Sequence, residues 1–110
     1  MPGRVHSHRQ FVRLTSPTGR GRSGSIRVHF VASNELSEEF LVAFAIGRAV
    51  GNAVERNTIR RRLRSLMDEI QPHCGQGLYL IKCGFATKEL TYDQLREQLR
   101  SALRSAGCYQ

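Results

Sequence analysis

The alternation of hydrophobic and polar side chains along the chain predicts three β-strands. In residues 26–32, apolar side chains occupy every second position, as in a strand with one buried face. This pattern predicts that Arg27 and His29 point away from the core. The run Phe40–Ile46 is apolar on both faces, which is typical of a strand inside a sheet. A third strand is predicted at residues 78–83, a mostly apolar run followed by a glycine.

Two amphipathic helices are predicted by apolar positions that recur every three or four residues. The first spans residues 53–70, with Asn52 as its cap. Its apolar stripe consists of Ile59, Leu63, Leu66, Met67 and Ile70. The second helix begins after a capping box formed by Thr91 and Gln94, and it ends at Gly107. Its apolar stripe consists of Leu95, Leu99, Ala102, Leu103 and Ala106.

The segment before these elements contains one more helix signal and a glycine-rich stretch. Ser7 and Gln10 form a capping-box pattern, which predicts a short helix that ends near Leu14, before Pro17. Residues 19–25 consist of glycine, serine and arginine, and they predict a flexible basic loop. The pattern leaves open whether this loop is a solvated linker or a contact for phosphate groups.

The predicted order of helix, strand, strand, helix, strand and helix indicates a small sheet with helices packed on it. We therefore expect an α/β (α+β) two-layer sandwich with a mixed sheet, of the kind found in ribosomal proteins. The 110 residues are enough for one hydrophobic core and too few for two domains of normal size. A single domain over residues 1–110 is therefore expected, although a fold class alone does not determine a function.

The chain is strongly basic, which favours a polyanionic partner. It contains 17 lysine and arginine residues against 9 acidic residues, a formal net charge of +8. Residues 1–34 include six arginines and no acidic residue. Charge of this sign and density makes nucleic acid the leading candidate.

The cysteines and the absence of long apolar runs narrow the class of protein. Cys74, Cys83 and Cys108 are widely spaced and form no CxxC pair, so neither a disulfide framework nor a zinc site is indicated. We expect a reducing, cytoplasmic location. No run approaches the roughly 18 apolar residues of a membrane span, and the basic start lacks the apolar region of a signal peptide. No cofactor is expected to bind the protein by itself.

The most informative chemistry lies on the first of the two amphipathic helices. At about 100° per residue, Arg56, Arg60 and Arg64 fall in one stripe, with Asn57 and Arg61 beside it. Such a row neutralises phosphates, and Asn57 adds a donor and an acceptor for a base edge or a ribose hydroxyl. Acidic residues are scarce among these arginines, which favours an RNA contact over a solvated charged face.

This helix carries a longer motif, which consists of Val50-Gly51-Asn52-Ala53-Val54 and then Arg56-Asn57-Thr58-Ile59-Arg60-Arg61-Arg62-Leu63-Arg64. It resembles the motif of the protein subunit of bacterial ribonuclease P, Val-Gly-Asn-Ala-Val followed by Arg-Asn-x-x-Lys-Arg-x-x-Arg. Arg60 replaces the usual lysine and keeps its charge. Weaker matches extend the resemblance over nearly the whole chain, and these are Arg4-Val5, Phe11 and Leu90-Thr91-Tyr92-Asp93.

The resemblance implies a sandwich with a left-handed βαβ crossover and an activity that resides in an RNA subunit. That RNA would be the catalyst that removes the 5′ leader of precursor tRNA in a Mg²⁺-dependent holoenzyme, with no catalytic residue in the protein. The implied contacts to the RNA subunit are Arg48, Arg56, Asn57, Arg60, Arg61 and Arg64. For a cleft that holds the leader, Phe11 is a candidate by resemblance, with a core position as its alternative. Arg13 and Arg27 are candidates by position.

The sequence departs from the family pattern in two places. Where the family has Val-Ser-Lys-Lys, this chain has Ile46-Gly47-Arg48-Ala49, so one cation and one hydroxyl group are missing. The usual Ala-Arg after the third strand is absent around residues 82–85.

Two other classes of protein stay open beside the ribonuclease P family. One alternative is a ribosomal or other structural RNA-binding protein. Another is a nuclease that acts without RNA, although the acidic residues and histidines form no recognisable metal or acid–base motif.

Overall fold

The computed structural model describes residues 3–4, 19–32, 40–75 and 77–109, and these build one sheet and two α-helices. The strands are β1 (Gly3–Arg4), β2 (Gly19–Ser23), β3 (Ile26–Ala32), β4 (Phe40–Ile46) and β5 (Gly77–Cys83). The helices are α1 (Ala53–Ile70) and α2 (Tyr92–Ser105). The strand order is β1-β4-β5-β3-β2. Because β4 pairs in parallel with β1 and β5 while β3 pairs antiparallel with β5 and β2, the sheet is mixed.

One face of the sheet and the apolar stripes of both helices form the main core. The strands contribute alternate residues, as a period-two pattern requires, and these are Ile26, Val28, Phe30, Phe40, Val42, Ile46, Tyr79 and Ile81. The helices contribute Ile59, Leu63, Leu66, Met67, Ile70, Leu95, Leu99, Ala102 and Leu103. The predicted two-layer sandwich is therefore confirmed. None of the helices in the described ranges is long and apolar enough to cross a membrane.

The segment from β4 to β5 is a βαβ unit. The two strands are parallel neighbours in register from Phe40 opposite Gly77 to Ile46 opposite Cys83, and α1 connects them. The left-handed crossover implied by the family resemblance stays a prediction. What the unit fixes is the place of α1, whose apolar stripe lies on the main core.

Both helices begin at the caps that the sequence predicts. The Asn52 side chain accepts a hydrogen bond from the Glu55 backbone N–H at 2.8 Å, and the Asn52 N–H donates to Glu55 Oε1 at 2.9 Å. Thr91 and Gln94 exchange the same pair of bonds at the start of α2. These reciprocal bonds satisfy amide groups that have no partner within a helix, so they define the first residue of each helix sharply.

The prediction of a flexible loop at residues 19–25 is wrong, because this segment forms strand β2 and a turn that pairs with β3. Its glycines serve close packing. A Cβ atom at Gly21 would lie 1.9 Å from the Ala102 carbonyl oxygen of α2, and one at Gly19 would lie 2.4 Å from that of Ala106. Gly24 forms the turn with a positive φ of 57°, a conformation that favours glycine. The predicted helix near Ser7–Leu14 lies outside the described residues.

Candidate nucleic-acid interface

The predicted RNA-contacting residues of α1 lie along one border of its buried face. Arg56, Arg60 and Arg64 are half-buried, whereas Asn57 and Arg61 are exposed. We call these five residues the arginine flank. Arginine can cover apolar surface with its aliphatic stem while its guanidinium group stays at the surface. The arginine flank is therefore an edge between core and solvent, which limits the freedom of its side chains.

The hydrogen bonds that the described side chains of the arginine flank form are to neutral groups. Arg60 Nη1 donates to Asn57 Oδ1 at 2.9 Å, and Arg61 Nη2 lies 3.5 Å from Thr58 Oγ1. Within the described ranges, no arginine of this flank forms an ion pair with a carboxylate. The guanidinium groups can therefore bind external anions without first breaking an internal ion pair.

The carboxylates of α1 that form ion pairs lie on its other border, toward α2. Glu69 accepts from Arg96 Nε at 2.9 Å and lies 3.8 Å from Arg100. Glu55 lies 4.0 Å from Lys88 and also caps the helix. The charges of Glu55 and Glu69 are thus used inside the protein.

Arg48 extends the positive surface beyond the start of α1. It is exposed in a 3₁₀ turn, Arg48–Val50, that connects β4 to the helix. Val50 is buried in the main core and fixes the turn. Arg48 therefore has a defined position at one end of the sheet, although Gly47 next to it provides no side chain.

The face of the sheet that points away from the main core carries a second group of cations. Arg22, Arg27 and Lys82 lie directly opposite one another on β2, β3 and β5, and we call them the cationic row. Arg20 pairs with His29 in the next position along β2 and β3. The prediction that Arg27 and His29 point away from the main core is confirmed, because Ile26 and Val28, which alternate with them, are fully buried on its side.

Like charges in directly opposed strand positions destabilise a sheet unless another charge offsets them. Inside the described part of the chain, no residue of the cationic row forms an ion pair with a carboxylate. The sequence analysis missed Lys82 and the strand setting of Arg20 and Arg22. The alternation of glycine and arginine from Gly19 to Ser23 was the signal that could have revealed them, since it has a period of two.

At its other end, this second face is apolar. Val31, Leu41 and Leu78 form a small buried cluster against which Leu80 packs. The sequence pattern placed Val31 on this face, which is correct, but it did not predict its burial. The candidates Phe11 and Arg13 lie outside the described residues.

An α+β fold with two separate cationic surfaces is typical of a small protein that binds a polyanion such as RNA. The family model described as Ribonuclease P matches residues 2–107. The ribonuclease P protein component of Streptococcus mutans is 32% identical over 108 residues, which cover 97% of this chain and 88% of that protein. That of Symbiobacterium thermophilum is 30% identical over 93 residues, covering 84% and 81% of the two chains. The chain belongs to the family of ribonuclease P protein components.

Solved structures have the same fold. The RNase P protein of Staphylococcus aureus superimposes with a TM-score of 0.84 and 21% identity over 100% of both chains. That of Thermotoga maritima superimposes with a TM-score of 0.73 and 17% identity, covering 87% of this chain and 90% of that one. The predicted family is confirmed, and with it a role in tRNA processing and a ribonuclease P RNA as partner. These similarities favour the ribonuclease P family over the alternative of a ribosomal protein.

Proposed function

We propose that the protein binds the RNA subunit of ribonuclease P through the arginine flank and Arg48, and the 5′ leader of precursor tRNA through the second face of the sheet. The observation that carries this assignment is a pair of cationic surfaces whose side chains form no ion pair with a carboxylate among the described residues. One lies on a helix edge and the other on a sheet face, so two RNA segments can bind at once.

The arginine flank suits a structured RNA because its groups are spaced on a rigid element. Residues four apart rise by about 6 Å along a helix, and Arg56, Arg60 and Arg64 have this spacing. Each guanidinium can bind two phosphate oxygens, and each contact releases about one counterion. Asn57, whose oxygen accepts from Arg60, can still donate from its amide nitrogen to a base or a ribose.

The second face of the sheet suits an unpaired strand because its cationic end is extended and exposed. Arg20 and the cationic row offer charge there for successive phosphates. Single strands are usually held by such a charged surface together with stacked bases, without sequence preference. Arg27 is thus the supported leader contact, while Phe11 and Arg13 remain predictions.

We propose further that the chemistry belongs to the RNA subunit and its Mg²⁺ ions. In support, Glu55, Glu69 and Asp93 already serve in a helix cap and in ion pairs with Arg96 or Lys88. No group of three potential metal ligands occurs among the described side chains. The free thiols of the three cysteines suit the reducing cytoplasm that we propose as the location.

Cleavage of 5′-labelled precursor tRNA at low Mg²⁺ concentration tests the proposal. Three samples are compared, which are a bacterial ribonuclease P RNA alone, the same RNA with this protein, and the protein alone. We expect cleavage at the mature 5′ end only when both components are present. Cleavage by the protein alone would overturn the assignment of catalysis to RNA, and failure to activate any such RNA would overturn the subunit role.

A further inference from the structure

An open cleft lies at the end of the second face, where β4 and β5 finish and β3 begins. Its volume is about 910 Å³, within the usual range for small-ligand sites. The cationic row and Gly47 line this cleft, and Arg48 directly follows Gly47 in the chain. Phe85, in the segment after β5, also lines it. No acidic residue is among the described residues that line the cleft.

Phe85 is displayed to solvent on a well-anchored turn. Its side chain is 74% exposed, whereas Thr87, two residues later in the same 3₁₀ turn, is 2% exposed. Thr87 Oγ1 donates to Ser25 Oγ at 3.0 Å, and Ser25 Oγ donates to Gln98 Oε1 at 3.3 Å. The Gly84 N–H also donates to the Ser25 carbonyl oxygen at 2.8 Å. The turn is thus fixed to the β2–β3 hairpin and to α2.

An exposed aromatic residue alone is ordinary, but this one shares a cleft with three cations. The cations favour an anionic ligand, and the aromatic ring offers a flat apolar surface that phosphate alone does not use. A nucleotide has both features, because its base stacks and its phosphates bind arginine and lysine.

We infer that Phe85 and the cationic row hold one unpaired nucleotide of the precursor-tRNA leader, with its base stacked on Phe85 and its phosphates bound by Arg27 and Lys82. This inference rests on the proposed function and deepens it. It makes Phe85 a base-binding residue and directs the strand toward the turn that carries Arg48. The leader would thus leave the sheet at the end nearest the RNA-binding helix.

The first test measures how tightly the holoenzyme binds precursor tRNA with and without its leader. Phe85→Ala is expected to weaken binding of leader-bearing tRNA on the order of 10-fold, since one base–aromatic stack is lost. Binding of leaderless tRNA should not change. Phe85→Tyr should retain the affinity, and Phe85→Leu, which keeps apolar volume without a π-face, should lose most of it. An unchanged Phe85→Ala affinity would overturn the inference, as would an equal loss with leaderless tRNA.

The second test locates the nucleotide with single abasic substitutions along the leader. In the unmodified holoenzyme, one position should show the largest loss of affinity, and that loss should nearly vanish in Phe85→Ala, because the two changes remove the same contact. Losses that simply add at every position would overturn the inference. If the unmodified holoenzyme binds leader-bearing and leaderless tRNA equally, both the leader assignment and this inference fail. If only the Phe85 effects are absent, the proposed function stands.

Discussion

Arg60 and Arg62 are two residues apart on α1 but have different surroundings. Arg60 belongs to the arginine flank and bonds to Asn57, whereas Arg62 lies at helical spacing between Glu55 and Glu69 on the border toward α2. Arg60 therefore lies beside the other arginines of the flank, whereas Arg62 lies on the border whose carboxylates form ion pairs with Lys88, Arg96 and Arg100. The sequence motif includes both arginines, and only the folded helix separates them.

Arg60→Ala and Arg61→Ala are each expected to weaken binding of the RNA subunit. Because each variant removes one phosphate contact, the slope of log affinity against log salt concentration should fall by about one. Arg62→Ala is the matched control and should leave affinity and slope nearly unchanged. Titrations of the RNA at several KCl concentrations measure both quantities, and equal effects in all three variants would refute the assigned border.

Arg27→Ala should separate binding from stability. Removing this charge is expected to weaken binding of leader-bearing precursor tRNA and to spare leaderless tRNA. Because Arg27 lies between Arg22 and Lys82, its loss relieves like-charge repulsion, and the free energy of unfolding should stay unchanged or rise by ~0.2–1 kcal/mol. Urea unfolding measures this change in the free energy of unfolding. A clear loss of stability would mean that Arg27 has a structural role instead.

At the scale of elements, the contact between β2 and α2 depends on a backbone without side chains. Gly19 and Gly21 let the helix approach until carbonyl oxygens of its last turns and C-terminal cap lie against the strand. Because glycine occupies these two positions of the inner face, the large side chains of β2, Arg20 and Arg22, lie on the second face. A glycine-rich composition therefore produced a packed strand here, because the adjacent helix uses the space that Cβ atoms would occupy.

Gly21→Ala should destabilise the protein by about 1–3 kcal/mol, since the added methyl group forces β2 and α2 apart. Gly47→Ala is the matched control. A Cβ atom there would have no neighbour within 4 Å, and the φ of −77° suits any residue, so its stability should be unchanged or higher by roughly 0.4–1 kcal/mol. Thermal unfolding of both variants measures the difference. Equal melting temperatures would contradict the close approach of β2 and α2.

At the scale of the whole molecule, polar groups join the segment between α1 and β5 to the residues that follow α2. The Tyr79 hydroxyl donates to the Gly75 carbonyl, and the Gly75 N–H donates to the Cys108 carbonyl at 3.2 Å. Burial raises the pKa of the Cys74 thiol to about 12 and that of Cys108 to about 11. Burial also raises the pKa of Tyr79. These groups close the sandwich as neutral donors and acceptors.

The free energy of unfolding should therefore fall in alkaline solution. The ordinary pKa of the thiols is 9.0 and the folded values are higher, so between these limits the native state binds more protons than the unfolded state, and stability decreases as pH rises. The contribution is complete below pH 9 and declines above it. Urea unfolding from pH 8 to 11 tests this. Cys74→Ala and Cys108→Ala should each flatten the decline, and a steeper decline in either would contradict the assignment.

The sequence by itself determined α1, α2, β3, β4, β5, both helix caps and the arginine flank. Each depends on residues close together in the chain, because helical and strand periodicities and capping bonds are local. The family motif on α1 lies within one such element, so the family was also visible before the fold.

Only the tertiary structure decided that Gly19–Ser23 is a strand and that Arg22, Arg27 and Lys82 form one row. It also decided that Phe85 lines a cleft beside this row. Strand pairing brings these residues together from separate parts of the chain. Their shared position depends on register and on the approach of α2, neither of which local periodicity encodes. The helix surface was therefore predictable from sequence, while the sheet surface required the fold.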